Sequence, residues 1–583
     1  MTDKLKRLRE WLDGENLDGF LIPRGDCFSG EEVPASEERL AHISGFTGSA
    51  GTAVVTSKLA ALFSDGRYTL QMQAQTSEDW TTFTVPSTSV NEWIKTHMKG
   101  GRLGFDPWLM TVSQYRGFED ALSPEGISLH PVAANPIDLA WPDQPLPPSS
   151  KAWDFPLSIA GLGRAEKTDL VIRALQKIDP AASALVISDP ASLAWMLNIR
   201  GGDLPHTPVI LAFAILDMSG EITIFAGNER FDAIDQEGLS FADQVRLGES
   251  LRGLADGVVI DPSSCPVAIR QMLRGKVIEN ALPMVSMKAE KTQEEAAGFR
   301  AAHKRDAAAM IRFLAWFDNT LTQHPLRETE AADKLVEFRR QEDGFLSPSF
   351  ATICGSGANG AIVHYRAEPG ADQIIPKDNL CLIDSGAQYR DATTDITRTV
   401  STGTPSDAMT EAYTHVLRAH IALDVARFPR GTTGVQLDAI TRAPLWQQGM
   451  DYDHGTGHGV GCCLGVHEGP ASISRRGTAQ IRPGMVLSNE PGFYREGAFG
   501  IRTENLVLVI EGEDGNLGFE ALTLVPFDRR LISAELMSTA EINWLDTYHE
   551  RVRREISPLI ASRGDDQAQA WLERFTAPLA EQV

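Results

Sequence analysis

The stretch Asp453-His454-Gly455-Thr456-Gly457-His458-Gly459-Val460-Gly461 decides how this chain is read. Its glycines let a loop pack tightly while presenting an imidazole, and carboxylates flank it on both sides. Upstream stand Asp384, in Leu382-Ile383-Asp384-Ser385-Gly386, and Asp395, in Thr393-Thr394-Asp395-Ile396-Thr397. Downstream stand Glu490, in Ser488-Asn489-Glu490-Pro491-Gly492, and Glu504, in Gly500-Ile501-Arg502-Thr503-Glu504-Asn505. Asp384, Asp395, His458, Glu490 and Glu504 make an oxygen-rich ligand set with a single nitrogen. Such hard donors suit divalent cations, and a lone cation would find too many negative charges there, so a pair is expected.

Local pattern says how these side chains would converge. Leu380-Cys381-Leu382-Ile383 and Ile396-Thr397-Arg398-Thr399-Val400 read as strands, with the turn-prone Arg390-Asp391-Ala392 between them. A hairpin would carry Asp384 and Asp395 to one end of a sheet. Glu490 follows the apolar strand Met485-Val486-Leu487 and is fixed by Pro491-Gly492. In a strand over Ile501–Val509, alternation puts Arg502 on the face of Glu504. Singly, each motif is weak: an Asp before Gly is usually a turn residue, a Glu is usually solvated, and a His among glycines is usually structural. Five such residues in order, three of them (Asp384, His458 and Glu490) within two residues of a rigidifying Gly or Pro, outweigh those readings.

The whole chain bounds the alternatives. At 583 residues it is too long for one core, and two to four domains are expected. Its formal net charge of -24 argues against nucleic acid or an anionic membrane as main partner. The opening residues run into an amphipathic pattern (Leu5, Leu8, Trp11, Leu12), and no stretch approaches the ~20 apolar residues of a membrane span. A cytoplasmic protein is the expectation. Six scattered cysteines without zinc-type spacing read as free thiols.

Two segments precede the ligand set. The first has a helix at Leu5–Leu12, strands at Phe20–Ile22, Thr52–Val55 and Ala60–Phe63, and a turn at Asp65-Gly66-Arg67-Tyr68. The second repeats that order: a helical pattern at Leu170–Ile178, a strand at Ala184–Ile187, then Gly201-Gly202 and an apolar run Pro208–Phe213. This reads as a diverged tandem duplication of an α/β module. Trp141–Ser150, rich in proline, is the linker between them. Beyond Lys288, Thr292-Gln293-Glu294-Glu295 is a capping box opening a long helix through Phe317. The expected domains are 1–150, 151–287 and 288–583, and the stretch after Ser538 reads as polar helix.

The order Asp, Asp, His, Glu, Glu with His-Gly-Thr-Gly-His-Gly resembles the pita-bread metallopeptidases of family M24. Within them the chain is similar to the long, three-domain aminopeptidase P (Xaa-Pro aminopeptidase) group. Supporting segments are Pro348-Ser349-Phe350, Gly360-Ala361-Ile362-Val363-His364-Tyr365, Val466-His467-Glu468-Gly469-Pro470 and, in the first segment, Ser64-Asp65-Gly66-Arg67-Tyr68. The resemblance implies an α/β (α+β) chain with two creatinase-like N-terminal domains before a pita-bread catalytic domain. It implies Asp384 on one metal, Asp395 and Glu504 bridging two, and His458 with Glu490 completing the other. It implies Mn²⁺, with Co²⁺ or Zn²⁺ as alternatives, and a homodimer. His364, His454 and His467 match the family's additional active-site histidines, which bind substrate, steady the tetrahedral intermediate and shuttle protons. The reaction implied is removal of the first residue from peptides with proline second, a metal-bridging hydroxide attacking and Glu490 moving the proton. Prolidase, which cuts only dipeptides, shares these ligands, but the duplicated modules and length favour aminopeptidase P. A non-catalytic binding member of the fold would normally have lost ligands, and all five are here.

Overall fold

A computed structural model describes residues 3–85 and 87–579, with only the backbone of Leu70. The chain divides into two compact units, one running through Phe155 and resuming over Gly163–Met284, the other comprising Pro156–Leu162 and the chain from Val285 onward. Among the described residues no helix is long and apolar enough to cross a membrane.

The first unit contains the same sheet twice. In the first copy, β1 (Gly19–Pro23), β2 (Thr52–Thr56), β3 (Ala60–Asp65), β4 (Thr81–Val85), β5 (Gly101–Phe105) and β6 (Ile127–Pro131) lie in the order β4-β3-β2-β1-β5-β6. In the second, β7 (Ala184–Ile187), β8 (Phe213–Asp217), β9 (Ile222–Phe225), β10 (Leu239–Ala242), β11 (Val258–Ile260) and β12 (Val277–Glu279) lie in the order β10-β9-β8-β7-β11-β12. Strand for strand the senses agree. The β1–β2–β3 and β7–β8–β9 runs are antiparallel, and the remaining pairs are parallel. The duplication read from the sequence is therefore a duplication of topology. In the first copy the helix Asp3–Glu15 buries Leu5, Leu8 and Leu12 against Phe20 and Ile22, so its apolar stripe becomes core. The apolar run Pro208–Phe213 enters the sheet only at its end, where β8 begins at Phe213. Asp203 is the reason: its Oδ2 accepts from Leu211 N at 2.7 Å and its own N–H donates to Val209 O, tying 209–211 to the Asp203 segment instead of to the sheet.

The second unit is built on the helix Gln293–Gln323, opened by the expected capping box of Thr292 and Glu295. Its apolar face joins Val552 and Ile556 of the helix Thr539–Ala561, and Trp571 and Leu572 of Asp566–Phe575, in one large core. Two sheets carry the candidate site. One has Leu380–Ser385 in the centre, between Ile353–Ser356 and Ile396–Ser401. The other runs Glu468–Ile473, Gly457–Gly459, Val486–Asn489, Asn505–Glu511, Leu517–Ala521. The expected hairpin is present, with Asp384 opposite Thr397 and Ser385 opposite Ile396.

The expected single strand over Ile501–Val509 is two strands. Phe499–Arg502 pairs with Gly492–Arg495, whereas Asn505–Glu511 pairs with Val486–Asn489. The chain changes sheets between them because Thr503 N donates to Pro491 O, and Glu504 N donates to Thr397 O at 3.0 Å. All six cysteines are free thiols.

Candidate metal centre

Glycine lets the His458 loop exist. A Cβ on Gly457 would stand 2.0 Å from Ser488 O, and one on Gly459 would stand 2.2 Å from Glu468 O. His458 N donates to Ser488 Oγ at 2.9 Å, and its ring Nδ1 lies 3.0 Å from Gly459 O. With Nδ1–H donating to that carbonyl, Nε2 keeps its lone pair for the site. Nε2 lies 3.6 Å from both Asp395 Oδ2 and Glu490 Oε1. Asp395, His458 and Glu504 each offer a donor atom within 4.8 Å of the others.

Glu504 accepts from Thr397 Oγ1 at 2.7 Å, and Asp384 Oδ2 accepts from Arg502 Nη2 at 2.5 Å. Asp384 Oδ1, Asp395 Oδ1 and Glu504 Oε1 are buried with no hydrogen-bond partner. A buried carboxylate oxygen without a donor is costly, and three in one cluster fit cations as the missing partners. Burial first, then the Asp395, Glu490 and Asp384 charges, raises the Glu504 carboxyl well above its ordinary range. Burial also raises Glu490, opposed by His458 and Arg502. Burial resists a charged His458, but Asp395 and Glu490 outweigh it and push the imidazole up to about 9. Metal-free, these groups hold protons that cations would displace.

Arg502 points into the site as expected, though through a hairpin rather than the strand of Glu504. Besides Asp384 it donates to Tyr494 OH at 2.6 Å, Thr397 Oγ1 and the Val363 carbonyl. His454 joins through Tyr494: Nδ1 faces Gly455 O at 2.7 Å, so Nε2 accepts from Tyr494 OH at 2.8 Å. His467 is exposed, its ring centroid 4.2 Å from that of His458 in an edge-on arrangement. His364 lies half-buried beside Val363. The five expected ligands thus fall into one neighbourhood with Arg502, His454 and His467.

Tyr494, Thr397 and Arg398 were not anticipated. Thr397 had a signal, since it stands two residues from Asp395 in a strand. Arg398 is fully buried, and the partners of its guanidinium are Glu504 O, Thr397 O, Val525 O, Pro526 O, Asn505 Oδ1 and Tyr548 OH. It fixes the backbone of Glu504 and leaves the carboxylate free.

The sheets, the glycine-backed imidazole and the unpartnered carboxylate oxygens define a metallohydrolase of two-sheet architecture. Comparison with known proteins agrees. Residues 297–511 match the model of metallopeptidase family M24, and 515–579 match the C-terminal region of peptidase M24. Residues 4–135 and 143–295 each match a Creatinase/Prolidase N-terminal domain. Aminopeptidase P2 of Arabidopsis thaliana is 38% identical, the alignment covering 100% of this chain and 89% of that protein. A probable Xaa-Pro aminopeptidase P of Laccaria bicolor is 37% identical over 99% of this chain and 94% of its own. The crystal structure of X-prolyl aminopeptidase from Caenorhabditis elegans, described as a cytosolic enzyme with a di-nuclear active site, superposes with a TM-score of 0.93. It shows 30% identity and covers 99% of this chain and 100% of its own. The chain belongs to metallopeptidase family M24.

Proposed function

We propose that the chain is a dinuclear Xaa-Pro aminopeptidase, releasing the first residue of peptides whose second residue is proline. The observation that carries this reading is the set of unpartnered buried oxygens on Asp384, Asp395 and Glu504 around His458. End-to-end similarity to aminopeptidase P proteins supports it. Asp384, Asp395, His458, Glu490 and Glu504 would hold two divalent ions, Mn²⁺ by donor hardness. Such ions supply a water of lowered pKa and polarise the scissile carbonyl. Glu490, as a carboxylate, accepts a proton from the attacking water and returns it to the prolyl nitrogen. The prolyl nitrogen carries no N–H and, like any amide nitrogen, must gain a proton to leave as an amine. His467 stabilises charge developing on the carbonyl oxygen, and His454, its ring nitrogens on Gly455 O and Tyr494 OH, orients that tyrosine. Arg502 fixes Asp384 and Tyr494, and His364 contacts substrate.

The domains are assigned as 1–150, 151–287 and 288–583, supported by the repeated sheets and the capping box at Thr292. The homodimer implied by the resemblance to the aminopeptidase P group is carried as part of the proposal. The cytoplasm is assigned by similarity to the cytosolic Caenorhabditis elegans enzyme. The test is hydrolysis of Arg-Pro-Pro and of Ala-Pro by chelated protein, before and after Mn²⁺. Manganese-dependent release of Arg exceeding Ala-Pro cleavage supports the proposal. Preference for Ala-Pro moves the assignment to prolidase, and silence on both by folded, metal-loaded protein removes catalysis.

A further inference from the structure

Glu328 opens the helix Glu328–Arg339 and is fully buried. Its Oε1 accepts from Ser356 N at 2.8 Å, Ser356 Oγ at 2.7 Å, Asn359 Nδ2 and Gln373 Nε2. Its Oε2 accepts from Tyr365 OH at 2.8 Å, Asn359 Nδ2 and Gln373 N at 3.2 Å. Every one of these donors is uncharged. A buried carboxylate met only by neutral dipoles is stabilised by their number and by the helix N-terminus behind it. The donors also share one segment: Ser356 and Asn359 enter the loop that contains His364, and Tyr365 and Gln373 lie beyond that histidine.

The same loop bears on the candidate metal centre. Gly360 presses against the strand Phe499–Arg502 so closely that a Cβ on Gly500 would stand 1.7 Å from Gly360 O. Arg502, which holds Asp384, also donates to Val363 O at 3.4 Å. At the far end the loop is gripped again, with Asp372 accepting from Thr329 Oγ1 at 2.7 Å and from Arg327. Between these fixed ends, the Tyr365 hydroxyl is the side-chain tie adjoining His364.

We propose that Glu328 is a positioning residue for the substrate-contacting loop, acting through Tyr365 to set Val363 and His364 against Arg502. The role rests on the reading of His364 as a substrate contact. The site demands a carboxylate. Each of its oxygens accepts from a backbone N–H, Ser356 N on one and Gln373 N on the other. An amide would set its NH₂ against one of those N–H groups whichever way it was turned.

The test is a double-mutant cycle on manganese-loaded, full-length protein with Arg-Pro-Pro as substrate. Tyr365→Phe removes only the tie beside His364 and should raise KM about tenfold, the scale of one hydrogen bond to a charged group. Its kcat should change less than about twofold, because the reacting groups are untouched. In a His364→Ala background the same substitution should leave KM unchanged, since the side chain it positions is gone. Glu328→Gln should show the same KM pattern more strongly, and Glu328→Asp should not rescue it. If Tyr365→Phe raises KM by the same factor in both backgrounds, or lowers thermal stability without touching KM, the positioning role is overturned while His364 stands. If His364→Ala alone leaves KM at its starting value, the substrate-contact reading fails, and the role of Glu328 falls with it.

Discussion

Two buried glutamates of the second unit make opposite use of burial. Around Glu328 both carboxylate oxygens are filled by neutral donors from a folded loop. Around Glu504 one oxygen accepts from Thr397, and the other has no hydrogen-bond partner and lies in a cluster with Asp395, Asp384, Glu490 and His458. The first neighbourhood is complete as folded protein. The second is complete only with cations. Burial alone therefore does not mark a functional carboxylate; an unanswered oxygen beside like charges does.

The sharpest way to break this comparison is to give both residues the same substitution. Glu504→Gln should cut manganese-dependent Arg-Pro-Pro hydrolysis on the order of a thousandfold, measured as kcat/KM, by removing a ligand charge. Activity within a few-fold of the unaltered protein would take Glu504 out of the centre. Next in size, Arg502→Lys should lower kcat/KM by roughly a hundredfold, because a point charge cannot replace a guanidinium shared by Asp384, Tyr494 and Val363 O.

Stability separates the pair in sign. In metal-free protein Glu328→Gln should cost about 2 kcal/mol, the scale of lost hydrogen bonds to a charged group. Glu504→Gln should stabilise the metal-free protein at neutral pH by about 1 kcal/mol, because a neutral amide spares the fold the cost of taking up a proton among like charges. Denaturant melts of chelated protein decide it, and a loss for both would erase the distinction.

The smallest effect is a pH slope. Glu490 and Glu504 are raised when folded, so the metal-free native state keeps protons that the unfolded chain has lost. Stability then falls as pH rises above the ordinary carboxylate range. His458 adds the same sign: its contribution is full below its unfolded value of 6.5 and is lost as pH passes through about 9. The thermal midpoint of chelated protein should decline from about pH 5 to about pH 9, and Mn²⁺ should oppose the decline most at the alkaline end. A flat profile without metal would show that these charges are relieved in some other way.

Which features were legible in sequence follows from the range of the interactions. The His458 loop was readable because glycines within two residues permit its close approach to Ser488 and Glu468. The Asp384–Asp395 hairpin was readable because its strands and turn are contiguous. The break at Thr503 was not, because the carbonyl that captures Glu504 N belongs to Thr397 in another sheet. The late start of β8 was hidden likewise, since it depends on the Asp203 carboxylate rather than on the apolar run itself. Glu328 left no local trace, its partners coming 28 to 45 residues later.

Arg398 has a consequence in time. All five candidate ligands have been translated by residue 504, but the guanidinium that fixes Glu504 O also binds Val525 O, Pro526 O and the Tyr548 hydroxyl, the last 150 residues further along the chain. Until the Tyr548 helix has emerged from the ribosome, Arg398 lacks the hydroxyl that helps to hold it on Glu504 O. A site wired in this way is held in full only after the segment carrying Tyr548 has been made, well after the last of its five candidate ligands.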